Sequence, residues 1–574
     1  MHSLSVALAA SAAVLPIAFA AAVDSGSAAR SCAWEKLNGT VGGRLHALEP
    51  LALPCFSVYK NNPVAPDAAA CAAVQAGYTK PGFRTDIAGA FMNNQVEECA
   101  SNPVDQCLLD NKTPTDPLAF ADGASCNQGN LPDYYVEVAT PADVQAALAF
   151  SEKTGTRLSI KNTGHDYLAR SSGKGTLMLW TRKLQGLSYD AAFVPEGCSG
   201  EKPVQAITTG AGVNFDQAYA FADEHNVTLL GGYSSTVGAS GGWVMGGGHS
   251  VLSTVYGLGI DRVVQFKIVT PDGQLRTVNS CSDPDLFWAL RGGGGGTFGV
   301  VLESTHKVEP AIPFVAASVS FTSNKTTIIP FLDIIVNNTQ KWAQEGWGGH
   351  VSGSSLINIT PLLSLDEAKE SLASLAAYAE SQGGAATFTE YDSWYPFYQK
   401  YVRANEVAVG NTHLAGSQLV SNGAFGTAEG RAQILSFLTN IVNAGTSPYI
   451  PVVGPVLYDA PANSTSATPA WRTAVWELGV GSSWAWNSSL AQRQAAATAL
   501  KAVGATMSAF TGGSAYMNEA SMFTDNWQQA WWGDNYDALL SIKNKYDPKK
   551  LLNCYKCVGW TAEDTAQSCY SAFA

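Results

Sequence analysis

Basic side chains are scarce in this 574-residue chain: 34 Lys and Arg stand against 47 Asp and Glu, a formal charge of −13. That balance argues against a nucleic-acid or anionic-membrane partner, either of which selects a basic face. Charged residues of both signs make up 14% and apolar residues 46%, which excludes a disordered chain and fits a large buried core. No P-loop G-x-x-x-x-G-K-[ST] occurs, and no G-x-G-x-x-G follows a first strand, so two common phosphate-binding fingerprints are missing. Cys554 and Cys557 form a lone C-x-x-C without a second pair or nearby histidines, which favours a disulfide over zinc. After the N-terminus no apolar run is long enough to span a bilayer; Ile328 to Val336 is broken by Pro330 and Asp333.

The features that are present point to an oxidising compartment. Met1 to Ala22 reads as a secretory signal, with an Ala/Leu/Val-rich core and small residues at Ala18 and Ala20 to Ala22 for cleavage. All 11 cysteines follow it, and the odd count leaves one unpaired. Six of them (Cys32, Cys55, Cys71, Cys99, Cys107, Cys126) precede residue 130 and imply a stapled N-terminal segment. Sequons for N-linked glycans occur at Asn38, Asn111, Asn226, Asn324, Asn337, Asn358, Asn463 and Asn487. A secreted glycoprotein is expected.

The length calls for several domains. Residues 23–130 read as loops and short helices. From Asp133 the texture becomes strand and helix: a strand at Tyr134 to Val138, then a helix that begins with Thr140 as N-cap and Pro141 in its first turn and stops near Gly155. A second strand, Arg157 to Lys161, runs into the loop that carries Gly164 and His165. Val204 to Thr209 is a strand, Asn214 to Glu224 a helix and Val227 to Leu230 a strand. Gly231 to Gly248 is a loop with eight glycines, and Val263 to Thr270 and Leu275 to Val278 form a hairpin around Pro271-Asp272-Gly273. The chain divides into a signal (1–22), a disulfide-tied segment (23–130), an α+β domain with clustered glycine loops (131–310), an α+β domain with an antiparallel sheet (311–513) and a C-terminal segment (514–574).

Two glycine-rich loops, Lys161 to Ser172 and Gly231 to His249, can converge on one dinucleotide, because backbone without Cβ approaches a pyrophosphate closely. Their sequences carry a resemblance. Asn162-Thr163-Gly164-His165-Asp166-Tyr167-x-x-Arg170-Ser171 resembles the flavin-attachment loop of the vanillyl-alcohol-oxidase / berberine-bridge-enzyme-like family. Gly232 to Gly238, Gly241-Gly242, Gly246-Gly247-Gly248 and Tyr256 to Asp261 resemble that family's second pyrophosphate loop. Asp285-Leu286-Phe287-Trp288-Ala289-Leu290-Arg291-Gly292-Gly293-Gly294 is similar to a further signature. Tyr516-x-Asn518-Glu519 and Trp532-Gly533-x-Asn535-Tyr536 through Pro548 look like its C-terminal segment. The likeness covers residues 130–310 and 514–560. It implies a PCMH-type FAD-binding domain of two α/β subdomains.

The resemblance also implies roles. His165 bonds to the 8α-methyl of FAD, and Ser234 stands where doubly linked members have cysteine, so one histidyl link is expected. The first loop contributes Lys161, Asn162, Thr163, Gly164, Asp166 and Ser171, with Arg170 beside them. The second contributes Ser235, Thr236, Val237, Gly238, Ser240, Gly241, Gly242, Gly246, Gly247 and His249. Gly259, Ile260, Val301, Asn535 and Tyr536 complete the set. Val237 matches the family's oxygen gate, where valine is permissive. Tyr167, Tyr516, Asn518 and Glu519 are the candidate catalytic residues, with His413 and Glu390 as further possibilities. No metal is expected, and most of the 15 tryptophans read as core. The implied activity is hydride transfer from an alcohol-type substrate to FAD, with O2 as acceptor and hydrogen peroxide as product. A carbohydrate oxidase, a tailoring oxidoreductase of secondary metabolism and a secreted flavin-containing glycoprotein without activity stand as alternatives.

Overall fold

The computed structural model describes residues 25–121, 123–561 and 565–573, with side chains of 25–31 and 565–568 left aside. The expected signal lies outside the described residues. Local chemistry sets the first elements. Thr140 precedes Pro141–Thr154, and the Asp143 carboxylate accepts from the Thr140 N–H at 2.9 Å, closing the N-terminus. The same helix ends where Gly155 takes φ +70°. Asn214 and Gln217 exchange side-chain and backbone bonds at the start of Phe215–Glu224.

A four-stranded sheet runs in the order Leu45–Ala47, Tyr134–Glu137, Leu177–Trp180, Leu158–Lys161. The last three are mutually parallel, as a strand–helix–strand crossover requires, and the first adds antiparallel at the edge. A five-stranded antiparallel sheet follows, Leu275–Val278, Val263–Val269, Val300–Lys307, Val204–Gly210, Leu187–Phe193, with the expected hairpin at one edge. Residues beyond 310 build a seven-stranded antiparallel sheet, ordered Ala385–Tyr391, Phe314–Ser320, Ser355–Thr360, Gly348–Val351, Ile450–Val452, Ala474–Ser482, Leu414–Ser421. Lys325–Gln344 and Leu490–Thr511 are its longest helices. The architecture is mixed α+β.

Several elements depart from the reading of the sequence. The N-terminal segment holds a helix over Ser25–Thr40, where Trp34 stacks on Tyr134 at 4.7 Å. Gly242–Gly246 forms a short helix inside the long glycine loop. Leu414–Ser421 is an edge strand whose Gly416 lets the helix Leu490–Thr511 approach, since a Cβ there would meet Leu500 Cδ1 at 2.7 Å. Cys55–Cys71 and Cys107–Cys126 staple the N-terminal segment internally, whereas Cys99–Cys569 ties it to the C-terminal tail. Cys198–Cys281 and Cys554–Cys557 complete the pairs, and Cys32 is free among the described residues. No helix of the described residues is long and apolar enough to cross a membrane.

The C-terminal segment packs back on the glycine runs. Trp532 Nε1 donates to Gly292 O at 2.9 Å, and the buried Lys543 ammonium donates to Thr297 O, Leu552 O and Asp547, each at 2.6 Å. These contacts place Tyr516 to Glu519 between the glycine loops and the seven-stranded sheet.

Candidate active site

A cavity of about 730 Å³ opens where the glycine loops face the seven-stranded sheet. The first loop supplies Asn162 to Tyr167, Arg170 and Ser171. The second supplies Gly232 to Ser235, Val237, Gly238 and Ser240 to Trp243. A third run, not singled out from the sequence as a site, adds Gly295, Gly296 and Gly299 beside Val301. The opposite wall comes from His350, His413, Ser417, Tyr449 and the segment 401–411, with Tyr516, Asn518 and Glu519 from the returning chain.

The first loop is tightly specified. Gly164 sits at φ +91°, and a Cβ there would approach Lys161 Cε at 3.1 Å and Ala90 O at 3.3 Å. Asp166 accepts from Leu168 N at 3.2 Å and Ser171 N at 3.1 Å and pairs with Arg170 at 3.0 Å. Arg170 Nη2 reaches Asn518 Oδ1 at 3.2 Å, joining the first loop to the returning segment. The charge of Arg170 is therefore committed to Asp166, although the residue lines the cavity.

His165 Nε2 hydrogen-bonds Thr236 Oγ1 at 2.7 Å, which leaves Nδ1 as the open ring nitrogen. Burial pushes the imidazole down to about 4, so the ring is neutral near neutral pH and its lone pair is available. Asn162 carries both amide atoms buried without a protein partner, as do Ser171 Oγ and Arg170 Nη1. A Cβ on Gly238 or Gly241 would meet Asn162 Nδ2 at 2.5 Å. Orphaned polar atoms around glycine backbone fit a long polar cofactor with phosphates, since backbone and amide donors hold such groups without cationic side chains.

Other expected residues lie off the cavity wall. Lys161 is fully buried under the first loop and its Nζ donates to Ile87 O at 2.8 Å, Ala88 O at 2.9 Å and Ala90 O. Burial lowers it to about 7. Gly246 and Gly247 back the wall, where a Cβ would run into Asn518 and Tyr516. Gly259 packs under Trp243, and Ile260 belongs to a buried cluster with Trp471 and Tyr516. Asn535 donates to Ala467 O at 2.9 Å, and Tyr536 packs on Trp527 and Trp532. Neither Asn535 nor Tyr536 lines the cavity. Glu390 is exposed on an edge strand, whereas His413 faces the cavity with its ring 5.5 Å from that of Tyr167.

Among the catalytic candidates, Tyr516 is held by Asn518 Nδ2 at 2.7 Å and Gly248 N at 3.2 Å, and burial pushes its phenol up. Tyr167 is raised likewise, by burial first and then by Glu519 and Glu477. Glu519 Oε1 lies 3.2 Å from His249 Nε2. Glu477 Oε2 stands 3.4 Å from the same nitrogen. Glu477 gave no signal in the sequence beyond being a lone carboxylate in the apolar strand Ala474–Ser482.

Comparisons with known proteins identify the family. The family "FAD binding domain" matches residues 132–279 and the family "Berberine and berberine like" matches residues 515–556. The chain is 42% identical to the FAD-linked oxidoreductase ffsJ of Aspergillus flavipes over 568 residues, covering 92% of each protein. It is 43% identical to the FAD-linked oxidoreductase cheF of Chaetomium globosum, covering 94% of this chain and 88% of that one. The crystal structure of the VAO-type flavoprotein MtVAO615 from Myceliophthora thermophila C1 superposes with a TM-score of 0.80 at 29% identity, covering 92% of this chain and 95% of that one. A glucooligosaccharide oxidase of Acremonium strictum shares the fold, with a TM-score of 0.60 at 22% identity over 75% of this chain and 91% of that one. The chain therefore belongs to the vanillyl-alcohol-oxidase / berberine-bridge-enzyme-like family, and it is an FAD-linked oxidoreductase.

Proposed function

We propose that the protein is a secreted oxidase that carries FAD on one covalent bond from His165 and oxidises an alcohol-type substrate with O2, releasing hydrogen peroxide. The observation that carries this reading is the setting of His165: a half-buried, neutral imidazole on the cavity wall between glycine loops, with Nε2 occupied by Thr236. That setting leaves Nδ1 to take the 8α bond. Ser234 lines the cavity with a hydroxyl instead of a thiol, which supports a single link. When bound, FAD supplies the hydride acceptor and the centre that O2 reoxidises. The chain does the rest. Asn162, Ser171 and the glycine loops hold the polar part of the cofactor, and the rigid wall fixes its ring against the substrate carbon. Glu519 faces the cavity and takes the hydroxyl proton as the substrate loses its hydride, while Val237 leaves room for O2.

Secretion is supported by ten paired cysteines among the described residues and by exposed sequons at Asn226, Asn324, Asn337, Asn463 and Asn487. The deciding experiment is the visible spectrum of acid-denatured, washed protein together with the mass of its flavin peptide. Yellow colour in the pellet and FAD mass on the peptide with His165 alone support the proposal. A colourless pellet over a yellow supernatant removes His165 from its role. Peroxide release from a panel of primary and secondary alcohols then tests the oxidase reading.

A further inference from the structure

Three titratable side chains meet at the cavity wall, His249 and Glu519 on it and Glu477 behind them. His249 Nε2 lies 3.2 Å from Glu519 Oε1 and 3.4 Å from Glu477 Oε2. Glu477 is fully buried, and its Oε2 has no hydrogen-bond partner, while its Oε1 accepts from Ser417 Oγ. No lysine or arginine pairs with either carboxylate among the described residues. Glu519 alone of the two carboxylates lines the cavity, with its side chain 22% exposed.

One N–H cannot satisfy two carboxylates. An imidazolium between two ionised glutamates leaves a net negative charge in a site with little water, and a neutral imidazole leaves still more. Three arrangements bury no net charge; of those with an imidazolium, the one that protonates the fully buried Glu477 leaves the negative charge on Glu519, whose side chain is 22% exposed. We propose that Glu477, His249 and Glu519 form one proton-holding unit, in which Glu477 stores a proton behind the imidazolium and Glu519 is the face that takes the substrate's hydroxyl proton. This rests on the alcohol-oxidising reading above for the substrate. The substrate O–H bond breaks as the Glu519 O–H bond forms, and the carbinol carbon would give its hydride to bound flavin, leaving C=O. Glu519 is the catalytic residue; His249 and Glu477 are positioning residues, His249 holding the Glu519 carboxylate at 3.2 Å.

The surrounding groups permit this. Tyr167, Tyr449 and Tyr516 face the carboxylates as neutral phenols, all raised by burial. His350 is lowered to about 3, by burial first and then by His249, and burial lowers His413 as well, so neither competes for the proton. For His249 burial acts downward, but the hydrogen bond and charge of Glu519 with the charge of Glu477 outweigh it and raise the ring. Burial and then the charge of Glu519 raise Glu477.

The test is infrared spectroscopy of the holoenzyme near neutral pH in H2O and D2O, on the wild type, Glu477→Gln and Glu519→Gln. The expected result is a deuterium-sensitive protonated-carboxyl band that both variants remove, Glu477→Gln by deleting the carboxyl and Glu519→Gln by leaving Glu477 to ionise as the imidazolium's one partner. Absence of the band in the wild type, or its survival in Glu477→Gln, overturns the proposal. So does a stoichiometric metal in the isolated protein, since the three ligand atoms lie within 4.8 Å of one another. This readout needs no substrate, so its failure is distinct from failure of the oxidase reading. On an alcohol that reduces the flavin, Glu519→Gln should slow reduction at least about a hundredfold. As pH rises Glu477 loses its proton and adds a charge beside His249, so the wild-type rate should change on the alkaline side, and Glu477→Gln, which never ionises, should show no such change. A merely structural Glu477 leaves the alkaline profile of the variant the same as that of the wild type.

Discussion

The Thr236 hydroxyl is the cleanest handle on cofactor attachment. Thr236→Val keeps the shape of a buried side chain and removes the one partner of His165 Nε2, at 2.7 Å. An intramolecular hydrogen bond is worth about 0.5–1.5 kcal/mol net, and a buried ring nitrogen left without a partner costs about 1–3 kcal/mol. The bond also holds the ring in place: in the tautomer whose Nε2–H donates to Thr236, Nδ1 keeps the lone pair that must attack the 8α carbon. If about 1.4–3 kcal/mol of that orientation is lost at the barrier, attachment slows by about tenfold to somewhat over a hundredfold. The assay is a time course of FAD added to apoprotein, with covalent flavin read as colour in the acid-washed pellet. Thr236→Ser should attach flavin at close to the wild-type rate. Equal rates in Thr236→Val and wild type would refute the role of this bond, and so would a Thr236→Ser protein as slow as Thr236→Val.

Val237→Phe should leave flavin reduction by substrate nearly intact and slow reoxidation by O2 about tenfold or more, ~1.4 kcal/mol on the barrier, read by stopped-flow absorbance. His306 is buried, bonded through Nε2 to Ser304 Oγ at 2.6 Å, and lowered to about 4 by burial. Its folded value lies below the unfolded value of about 6.5, so its share of stability is present above pH 6.5 and is lost as pH falls toward 4. His306→Gln should flatten acid destabilisation in that window by about 1.4 kcal/mol per pH unit, measured as urea midpoints; parallel curves would sink the assignment. Replacing Cys99 and Cys569 by serine releases a tail pinned across 470 residues and should cost about 2–4 kcal/mol, with limited proteolysis cutting the C-terminal tail first. Asn358 is buried in the seven-stranded sheet, so glycopeptide mapping should find it bare while exposed sequons such as Asn226 and Asn463 carry glycans.

The glycine loops were legible in the sequence because a backbone that must pass close to a ligand has to give up Cβ. At Gly164 a Cβ would crowd Lys161 and Ala90, and at Gly238 and Gly241 it would crowd Asn162, so close packing of the loops selects glycine there as well. The helix starts at Thr140 and Asn214 were legible for the same reason, being local. Long-range selection was not. Asn535 and Tyr536 share a motif with Trp532, yet their side chains turn to Ala467 and Trp527, because a motif records a packing constraint as readily as a ligand contact. Glu477 was invisible, since nothing in Ala474–Ser482 reveals that His249, more than two hundred positions earlier, comes to rest against it. The wall of His350, Tyr401 and Tyr449 was hidden likewise, because its members sit on separate elements.

The N-terminal segment has a larger part in the site than its disulfides suggest. Residues 84–98 lie between the first loop and the seven-stranded sheet, and they touch both through polar atoms. Lys161 gives its ammonium to the carbonyls of Ile87, Ala88 and Ala90, and Met92 N donates to Gly164 O at 3.0 Å. On the other side Gln95 Nε2 bonds His413 O at 2.6 Å and Tyr167 O at 3.3 Å. Glu98 takes Trp484 Nε1 at 2.6 Å and pairs with the buried Arg493 at 3.0 Å. Apolar contact tolerates sliding, whereas a buried ion pair or a shared carbonyl loses several kcal/mol when displaced and so fixes one register. The distance between His165 on one wall and His413 on the other is thus set through residues 84–98, which contribute only Met92 and Asn93 to the cavity itself. Changes at Glu98 or Arg493 should therefore alter the alignment of cofactor and substrate as well as stability, and the two effects separate in the ratio of covalent flavin to folded protein.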